Sequence, residues 1–141
     1  MEELSLITRE EEIVSEFEMF DDWMDKYEYI IDLGKELEEF PLEEKKESNL
    51  IRGCQSQVWL IAREEGGRMF YKADSDAIIT KGLVSLMVRM LSGAKLEEII
   101  DSDMGFVNSI GLKEHLSPSR SNGLLSMIKQ MKIYALAYAN K

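Results

Sequence analysis

The sequence is short of the residues that build metal sites and disulfides. Its 141 residues include one cysteine and one histidine, Cys54 and His115. A zinc site needs three or four protein ligands, most often Cys and His, and an iron–sulfur cluster needs several thiolates, so we expect neither metal centre in one copy of the chain. A lone thiol forms no internal disulfide and suits a reducing compartment, which leads us to interpret the protein as cytoplasmic.

Long apolar runs and phosphate-binding motifs are also missing. No stretch approaches the ~20 apolar residues of a membrane helix. The first residues, Met1 to Leu4, are acidic and lack the basic-then-apolar pattern of a signal peptide. The glycine motifs of nucleotide-binding loops and the G-x-S-x-G motif of α/β hydrolases are both absent. We therefore expect no membrane span, no export and no nucleotide site.

Basic residues are scarce relative to acidic ones, and the imbalance is confined to one half. The chain has 17 Lys and Arg against 27 Asp and Glu, a net charge of −10. Residues 1–48 carry 18 acids and 5 bases (net −13), and residues 49–141 carry 9 acids and 12 bases (net +3). This balance argues against nonspecific binding of nucleic acid. The acidic half is either a solvated helical face, which we favour, or a docking surface for a basic partner.

The length predicts one domain over residues 1–141, and its N-terminal third is typical of helices. Thr8 starts a capping-box pattern, and apolar residues at helical spacing predict a first helix over roughly 8–20. Asp22 can cap a second helix. Pro41 and the polar residues after it predict a loop.

The middle of the chain changes to a strand pattern. Residues 57–63 are rich in β-forming side chains and predict a strand, residues 64–68 contain two glycines and predict a turn, and residues 69–73 predict the returning strand of a hairpin. Residues 49–52 are predicted as a further short strand. We therefore expect three short antiparallel strands.

Helical patterns resume after the strands. Asp74 to Asp76 offer caps for a third helix, which Gly93 ends. Shorter helical pieces are expected around 95–100 and 105–110, and Ser117-Pro118 has the form of a cap followed by proline at the first position of a last helix. The fold class is therefore α+β, with N-terminal helices, a small three-stranded antiparallel sheet and C-terminal helices.

Cys54 is the residue with the clearest chemical potential. A lone intracellular cysteine is most often a small buried apolar residue. Here, however, Gly53 precedes it, and the polar Gln55 and Ser56 follow it. The positive charge of Arg52 favours the thiolate, which is the nucleophilic form. The pattern indicates a reactive thiol.

The sequence around this cysteine resembles the signature of the SufE family, the sulfur-acceptor proteins of iron–sulfur cluster assembly. Four further blocks match the pattern of that family in order and at similar spacing, from about Trp23 to the final helix. The five matching blocks are Gly53-Cys54-Gln55-Ser56-Gln57-Val58-Trp59, Tyr29-Ile30-Ile31-Asp32-Leu33-Gly34, Asp74-Ser75-Asp76-Ala77, Lys81-Gly82-Leu83 and His115-Leu116-Ser117-Pro118-Ser119-Arg120-Ser121-Asn122-Gly123-Leu124.

The resemblance implies a fold like that of the cluster-scaffold proteins and a role in sulfur transfer. Cys54 would accept sulfur from a persulfide on a PLP-dependent, SufS-like cysteine desulfurase and would stimulate that enzyme. The sulfur would then pass to a SufBCD-like scaffold complex for iron–sulfur cluster assembly. The chain itself would need no cofactor, because PLP belongs to the desulfurase.

The same resemblance places Asp74, Asp76 and Arg120 near the cysteine or the desulfurase contact. The alternatives are that Asp74 and Asp76 only cap a helix and that Arg120 only pairs with them. Three neighbours of the thiol are expected to support its loop, namely Gly53, Gln55 and Ser56.

Two other functions remain open. Cys54 could act with His115 as nucleophile and base in a small cysteine-dependent enzyme, although His115 could equally serve packing or hydrogen bonding, support the site from behind its contacting residues, or contact the partner. The chain could also be an adaptor that activates its partner by contact alone. For the carrier, we expect a Cys54 loop that is packed against apolar residues in the free protein and swings out on docking.

Overall fold

The computed structural model describes residues 5–54, 56–103 and 105–141, apart from the side chains of Phe106 and Lys113. In this part of the chain, two helices come first, a β-hairpin follows, and further helices complete the fold. The helices are α1 Leu6–Glu18, α2 Trp23–Lys35, α3 Ile78–Leu91, α4 Leu96–Asp101, α5 Phe106–Ser109, α6 Leu112–His115 and α7 Pro118–Ala139. The strands are β1 Val58–Glu65 and β2 Arg68–Ser75.

Short polar side chains cap the long helices, though not always where the sequence pattern predicts. The hydroxyl of Ser5 accepts a hydrogen bond from the backbone N–H of Thr8, so Ser5 and not Thr8 caps α1. The prediction of a start at residue 8 was wrong because an extended serine lies three residues upstream, where it satisfies a first-turn N–H. The cap at Asp22 is confirmed, with the N–H of Asp25 donating to its side chain at 2.9 Å. The cap at Ser117, followed by proline, is also confirmed.

The hairpin is confirmed, with longer strands than predicted. The antiparallel register pairs Val58 with Ser75 at one end and Glu65 with Arg68 at the other. Gly66 and Gly67 lie between the strands with φ of 61° and 82°. A two-residue turn that matches the twist of a hairpin needs positive φ at both positions, which glycine adopts without steric cost.

The predicted third strand is wrong. Residues Glu47–Asn49 form a 3-10 turn, and the segment before the cysteine pairs with β1 through a bridge between Leu50 and Trp59. The side-chain amide of Asn49 donates to the carbonyl of Glu44 at 2.9 Å, which keeps this segment in a turn. The described residues therefore form a two-stranded sheet, and the α+β class stands.

Helices α2 and α3 pack with almost no side chain between them at one point. A Cβ added to Gly82 would come within 2.5 Å of Ile30 Cγ2, and one added to Gly34 would lie 2.9 Å from the backbone N of Gly82. Glycine at both positions therefore lets the two backbones approach closely. This contact fixes α3 beneath the hairpin, where its other side chains fill the core.

The core is formed by one cluster that draws on helices and hairpin alike. Its fully buried members include Ile13, Phe17, Ile30, Leu60, Met69, Leu86, Met87, Met90, Leu91, Ile99 and Leu112. Arg9 is buried with them and donates to the carbonyls of Met90 and Ser92 at 3.1 and 2.6 Å, so it satisfies carbonyls at the end of α3. Gly93 follows with φ of 85° and ends that helix as predicted.

The later helical pieces are confirmed near their predicted positions, and α6 is additional to them. Within the described residues, no helix has both the length and the apolar character needed to cross a bilayer.

Candidate functional site

Cys54 lies on a short loop, which we call the cysteine loop (residues 52–57). The loop is closed at its base, where the N–H of Ile51 donates to the carbonyl of Val58 at 2.8 Å. Gly53 has φ of 91°, a conformation that residues with a side chain rarely adopt. A Cβ there would also lie 2.8 Å from Ser126 Oγ on α7. Gly53 therefore lets the loop turn while it lies directly on α7.

The Cys54 thiol is half-buried against α7. Its Sγ lies 3.5 Å from the carbonyl oxygen of Gly123, to which the thiol donates. A Cβ on Gly123 would come within 3.2 Å of Sγ, so the absence of a side chain there creates the room for the thiol. Burial raises the pKa of Cys54 above its usual value, because desolvation disfavours the thiolate.

The expected influence of Arg52 on the thiol is absent in this conformation. Arg52 is exposed, and the shift in the pKa of Cys54 is caused by burial. Moving Cys54 into solvent would remove the desolvation, so the reactive thiolate forms more readily outside the pocket than inside it.

The thiol opens into a cavity of about 460 Å³, which we call the cysteine pocket. It lies between the cysteine loop and the first turns of α3 and α7. Its apolar wall is formed by Val58, Leu83, Val84, Leu124 and Met127. Its polar lining includes Ser56, Asp76, Ser119 and Arg120. The structure therefore brings four of the predicted site residues to one cavity, namely Cys54, Ser56, Asp76 and Arg120.

Asp76 anchors the end of the cysteine loop. Its Oδ1 accepts from the N–H of Gln57 at 3.0 Å, and its own N–H donates to the carbonyl of Gln57 at 3.3 Å. The prediction that this acidic segment caps α3 was wrong, because Ala77 occupies the cap position and makes no side-chain cap bond. Asp76 instead holds the chain between β2 and α3 to the loop.

Asp74 is buried in β2 and does not line the cysteine pocket. Its carboxylate pairs with Lys45 at 2.9 Å and Lys81 at 3.3 Å and accepts from the N–H of Ser75 at 2.8 Å. Burial would raise the pKa of Asp74, but these donors and the charge of Lys81 together hold it below its usual value. Asp74 thus ties the loop after α2 to β2 and α3.

Arg120 and His115 have different places around the site. Arg120 is exposed at the edge of the pocket. The alternative that Arg120 pairs with Asp74 is wrong, because Lys45 and Lys81 pair with that carboxylate. His115 stacks on Trp23 with ring centroids 4.1 Å apart, and its carbonyl accepts from the hydroxyl of Tyr27. Because His115 is not among the residues that line the cysteine pocket, the geometry gives Cys54 no histidine base.

Sequence reasoning assigned no role to the residues of α7 that hold the loop. Gly123 and Ser126 touch Cys54 and Gly53 although they lie about 70 residues later in the sequence. A glycine inside a helical pattern is unfavourable and often marks a close backbone approach, so Gly123 carried a usable signal. No comparable feature of the sequence distinguishes Ser126 or Lys45. Gln55 lies outside the described residues.

Metal ligands do not gather at this site. Among the described residues, no three His, Cys, Asp or Glu side chains come together in a way that could hold a metal ion. The chemistry that the site offers is that of a single thiol in a mostly apolar cavity with a charged edge.

Comparisons with known proteins identify the family of the chain. The SufE family model, described as an Fe-S metabolism associated domain, matches residues 11–135. An uncharacterized SufE-like protein of Rhizobium meliloti is 39% identical over 131 residues, covering 89% of this chain and 94% of that protein. One of Synechocystis is 38% identical over 126 residues, covering 89% and 79%.

Two other relatives extend the comparison. SufE-like protein 1, chloroplastic/mitochondrial, of Arabidopsis thaliana is 42% identical over 127 residues, covering 89% of this chain and 34% of that protein. The solution structure of a hypothetical protein from Thermus thermophilus is 18% identical, with a TM-score of 0.78, covering 94% of this chain and 97% of that one. This last likeness concerns the fold alone. With a family model over most of its length and relatives near 40% identity, the chain belongs to the SufE family, whose domain is associated with Fe-S metabolism.

Proposed function

We propose that this protein is a sulfur carrier that accepts persulfide sulfur on Cys54 from a PLP-dependent cysteine desulfurase. It stimulates the desulfurase by removing the sulfur and delivers it to a scaffold complex for iron–sulfur cluster assembly. The observation that supports this most directly is the position of the only cysteine. Its Sγ is half-buried in an apolar cavity, on a short loop that is fixed at its base.

The transfer needs one thiol and no external oxidant. The Cys54 thiolate attacks the terminal sulfur of the donor persulfide, and an S–S bond forms to that sulfur. The bond between the terminal sulfur and the desulfurase cysteine breaks, and that cysteine leaves as a thiolate. The proton lost from Cys54 is balanced by the proton that the departing thiolate takes up. A single cysteine avoids a side reaction, because a second thiol nearby could discharge the persulfide as a disulfide.

The cysteine pocket suits the storage step of this cycle. Its apolar side chains Val58, Leu83 and Met127 shield one side of a sulfur held on Cys54 from water and stray thiols. The same burial raises the pKa of the resting thiol, so the loop has to leave the pocket for the thiolate to attack efficiently. We therefore propose that docking of the desulfurase swings the cysteine loop outward.

The cofactor requirement and the compartment follow from this chemistry. PLP belongs to the desulfurase, and the chain needs no cofactor of its own. Free thiols and persulfides require a reducing compartment, such as the cytoplasm.

The test is the intact mass of the protein after incubation with a SufS-like desulfurase and L-cysteine. We expect wild-type protein to gain one sulfur atom, reversibly with reductant, and Cys54→Ser to gain none. His115→Ala is the matched control, because a carrier keeps its sulfur loading without that histidine and a Cys–His enzyme does not.

Desulfurase turnover, measured in the same reactions, separates transfer from activation by contact. Full stimulation by Cys54→Ser would contradict the proposal and indicate an adaptor. Failure of the wild type to gain sulfur from several active desulfurases would refute the carrier function itself.

A further inference from the structure

A second groove lies at the start of the cysteine loop and shares no lining residue with the cysteine pocket. We call it the basic groove; it is lined by Arg52 and the end of the 3-10 segment on one side and by Ser126, Lys129, Gln130, Ile133 and Tyr134 of α7 on the other. Its volume is about 450 Å³. Since Ser126 also contacts Gly53, any molecule in this groove lies next to the cysteine loop.

The charge of the groove is opposite to the net charge of −10 of the whole chain. Its two ionised side chains are Arg52 and Lys129, and no carboxylate is among its lining residues. Both side chains are exposed, and neither has a hydrogen-bond or ion-pair partner in the part of the chain that the structure describes. Elsewhere, Lys45 and Lys81 share Asp74, and Arg89 pairs with Glu16. With 27 carboxylates in the chain, two neighbouring cations without a partner are notable.

The outer face of α7 continues the groove with apolar side chains. Leu125 is 52% exposed, Ile133 44% and Leu136 45%, and with Lys129 they recur every three or four residues. Residues on one helix face recur with this spacing. On this face Lys129 carries the positive charge, and α7 contains no acidic residue over its 22 residues. The face therefore combines a positive charge with exposed apolar surface.

We propose that the basic groove docks an acidic segment of the desulfurase that transfers sulfur to Cys54, with an apolar side chain of that segment against Ile133. The proposal rests on the proposed function and specifies the chemistry of the partner surface. Charge complementarity favours carboxylates against Arg52 and Lys129. The position of Arg52 at the start of the cysteine loop places such a partner where it can hold the loop in its outward conformation.

The groove contributes to docking and not to the chemical step. A change in the groove should therefore alter the concentration needed for stimulation and not the stimulation at saturation. We expect Lys129→Glu to raise the concentration of carrier needed for half-maximal desulfurase stimulation by roughly fivefold or more. The stimulation at saturation should stay at the wild-type value, because Cys54 and its pocket are unchanged. Lys95→Glu is the matched control, since Lys95 is exposed, lies outside the groove and undergoes the same change of charge.

The outcomes separate this proposal from the carrier function. If Lys129→Glu and Lys95→Glu need the same concentration for half-maximal desulfurase stimulation and Cys54 is loaded normally, the proposed docking in the groove is wrong and the carrier function stands. Absence of loading in the wild type refutes the carrier function and with it the partner named here. Sedimentation that shows self-association, lost in Lys129→Glu, would make a second copy the occupant and would overturn the proposal as stated.

A binding measurement tests the chemistry of the groove without any enzyme. A synthetic peptide of alternating glutamate and leucine, titrated into isotopically labelled protein, should shift the amide resonances of Arg52, Ser126 and Lys129. We expect Lys129→Glu to abolish these shifts and added salt to weaken them. Shifts that are absent or spread evenly over the surface would overturn the assignment of the groove.

Discussion

Two contacts determine the reactivity of Cys54. The thiol donates to the carbonyl of Gly123, a bond that needs the proton in place, and the surrounding apolar wall disfavours the thiolate. In this conformation the thiol is therefore mostly protonated and weakly reactive, although Arg52 lies two residues away. This limits loss of the cysteine to stray oxidants.

The first prediction concerns the pH dependence of this thiol. Because burial raises the pKa of Cys54, the thiolate fraction near neutral pH is lower than in a free cysteine. We expect the rate of alkylation by iodoacetamide to rise with pH and to reach its midpoint above the value of about 8.5 typical of a free thiol. In denaturant the midpoint should fall to that ordinary value. A native midpoint at or below it would contradict the buried resting state.

The second prediction concerns the room that Gly123 leaves for the thiol. A Cβ at this position would lie 3.2 Å from Sγ of Cys54, which is tighter than ordinary contact, so the sulfur has to move by a few tenths of an ångström, whereas the 3.6 Å to Cα of Cys54 is ordinary van der Waals contact. We expect Gly123→Ala to displace the thiol from its position against α7 and to increase the alkylation rate of Cys54 several-fold.

The global stability of Gly123→Ala should stay within about 1 kcal/mol of the wild type, because alanine favours the helix by a similar amount. A slower alkylation than in the wild type would show that the added methyl seals the pocket. Ser126→Ala is a useful comparison, since it removes an atom beside Gly53 and adds nothing near the sulfur.

At the scale of elements, the contact between α2 and α3 explains two of the sequence blocks that resemble the SufE pattern. Gly34 ends one block and Gly82 lies within the other, and the structure places these two glycines against each other. Such close backbone packing leaves no space for any side chain.

The third prediction follows from this packing. We expect Gly82→Ala to lower the free energy of unfolding by about 3 kcal/mol or more, because its Cβ would collide with the backbone of Ile30, which cannot move aside. Chemical denaturation measures the change. Gly123→Ala is the matched control, as it makes the same substitution within a helix but meets a movable loop. If both variants lost a similar free energy of unfolding, close packing of Gly82 against Ile30 would not explain the effect.

The elements that the sequence predicts well are those whose signals are local. The cap at Asp22, the glycine pair at 66–67 and the Ser117-Pro118 start all act within a few residues, and all three predictions are confirmed. The prediction of a third strand was wrong because the side chain of Asn49 donates a hydrogen bond to a backbone carbonyl, and this bond competes with strand pairing.

The candidate site was predictable only in part, for a related reason. The sequence indicates a reactive thiol and its neighbours on the loop. The burial of Cys54 depends on Gly123, 69 residues away along the chain. The pairing of Asp74 likewise depends on Lys45, which no local pattern singles out.

At the scale of the whole molecule, Asp74 connects three separate parts of the chain. Lys45 belongs to the loop after α2, Asp74 to β2 and Lys81 to α3, and the carboxylate contacts both lysines. Replacing this mostly buried carboxylate by an amide removes its charge and one of its two acceptor oxygens, so both lysines lose their ionic partner and one of them loses its acceptor.

The fourth prediction is that Asp74→Asn lowers the free energy of unfolding by about 1–3 kcal/mol at neutral pH. Because the pKa of Asp74 is lowered in the folded state, its contribution is complete above the unfolded-state value of about 3.9 and is lost as the pH falls through the folded-state value. The difference between wild type and variant should therefore be constant near neutral pH and shrink in strong acid.

Thermal or denaturant unfolding across pH measures this difference. Asp32→Asn is the control, since Asp32 pairs with Lys35 at 3.5 Å on an exposed surface and should contribute under about 0.5 kcal/mol. If Asp74→Asn were as stable as Asp32→Asn, the pairing of Asp74 with Lys45 and Lys81 would not stabilise the fold.

The base of the cysteine loop also limits how far Cys54 can move. The bond between the Ile51 N–H and the Val58 carbonyl leaves three peptide units from Ile51 to Cys54, which span at most about 10 Å when fully extended. The outward swing proposed above therefore carries the sulfur atom only as far from the base of the loop as this short segment allows. In that proposed exchange, a donor cysteine in a deeper cleft has to cover the remaining distance itself, so both proteins contribute to the motion.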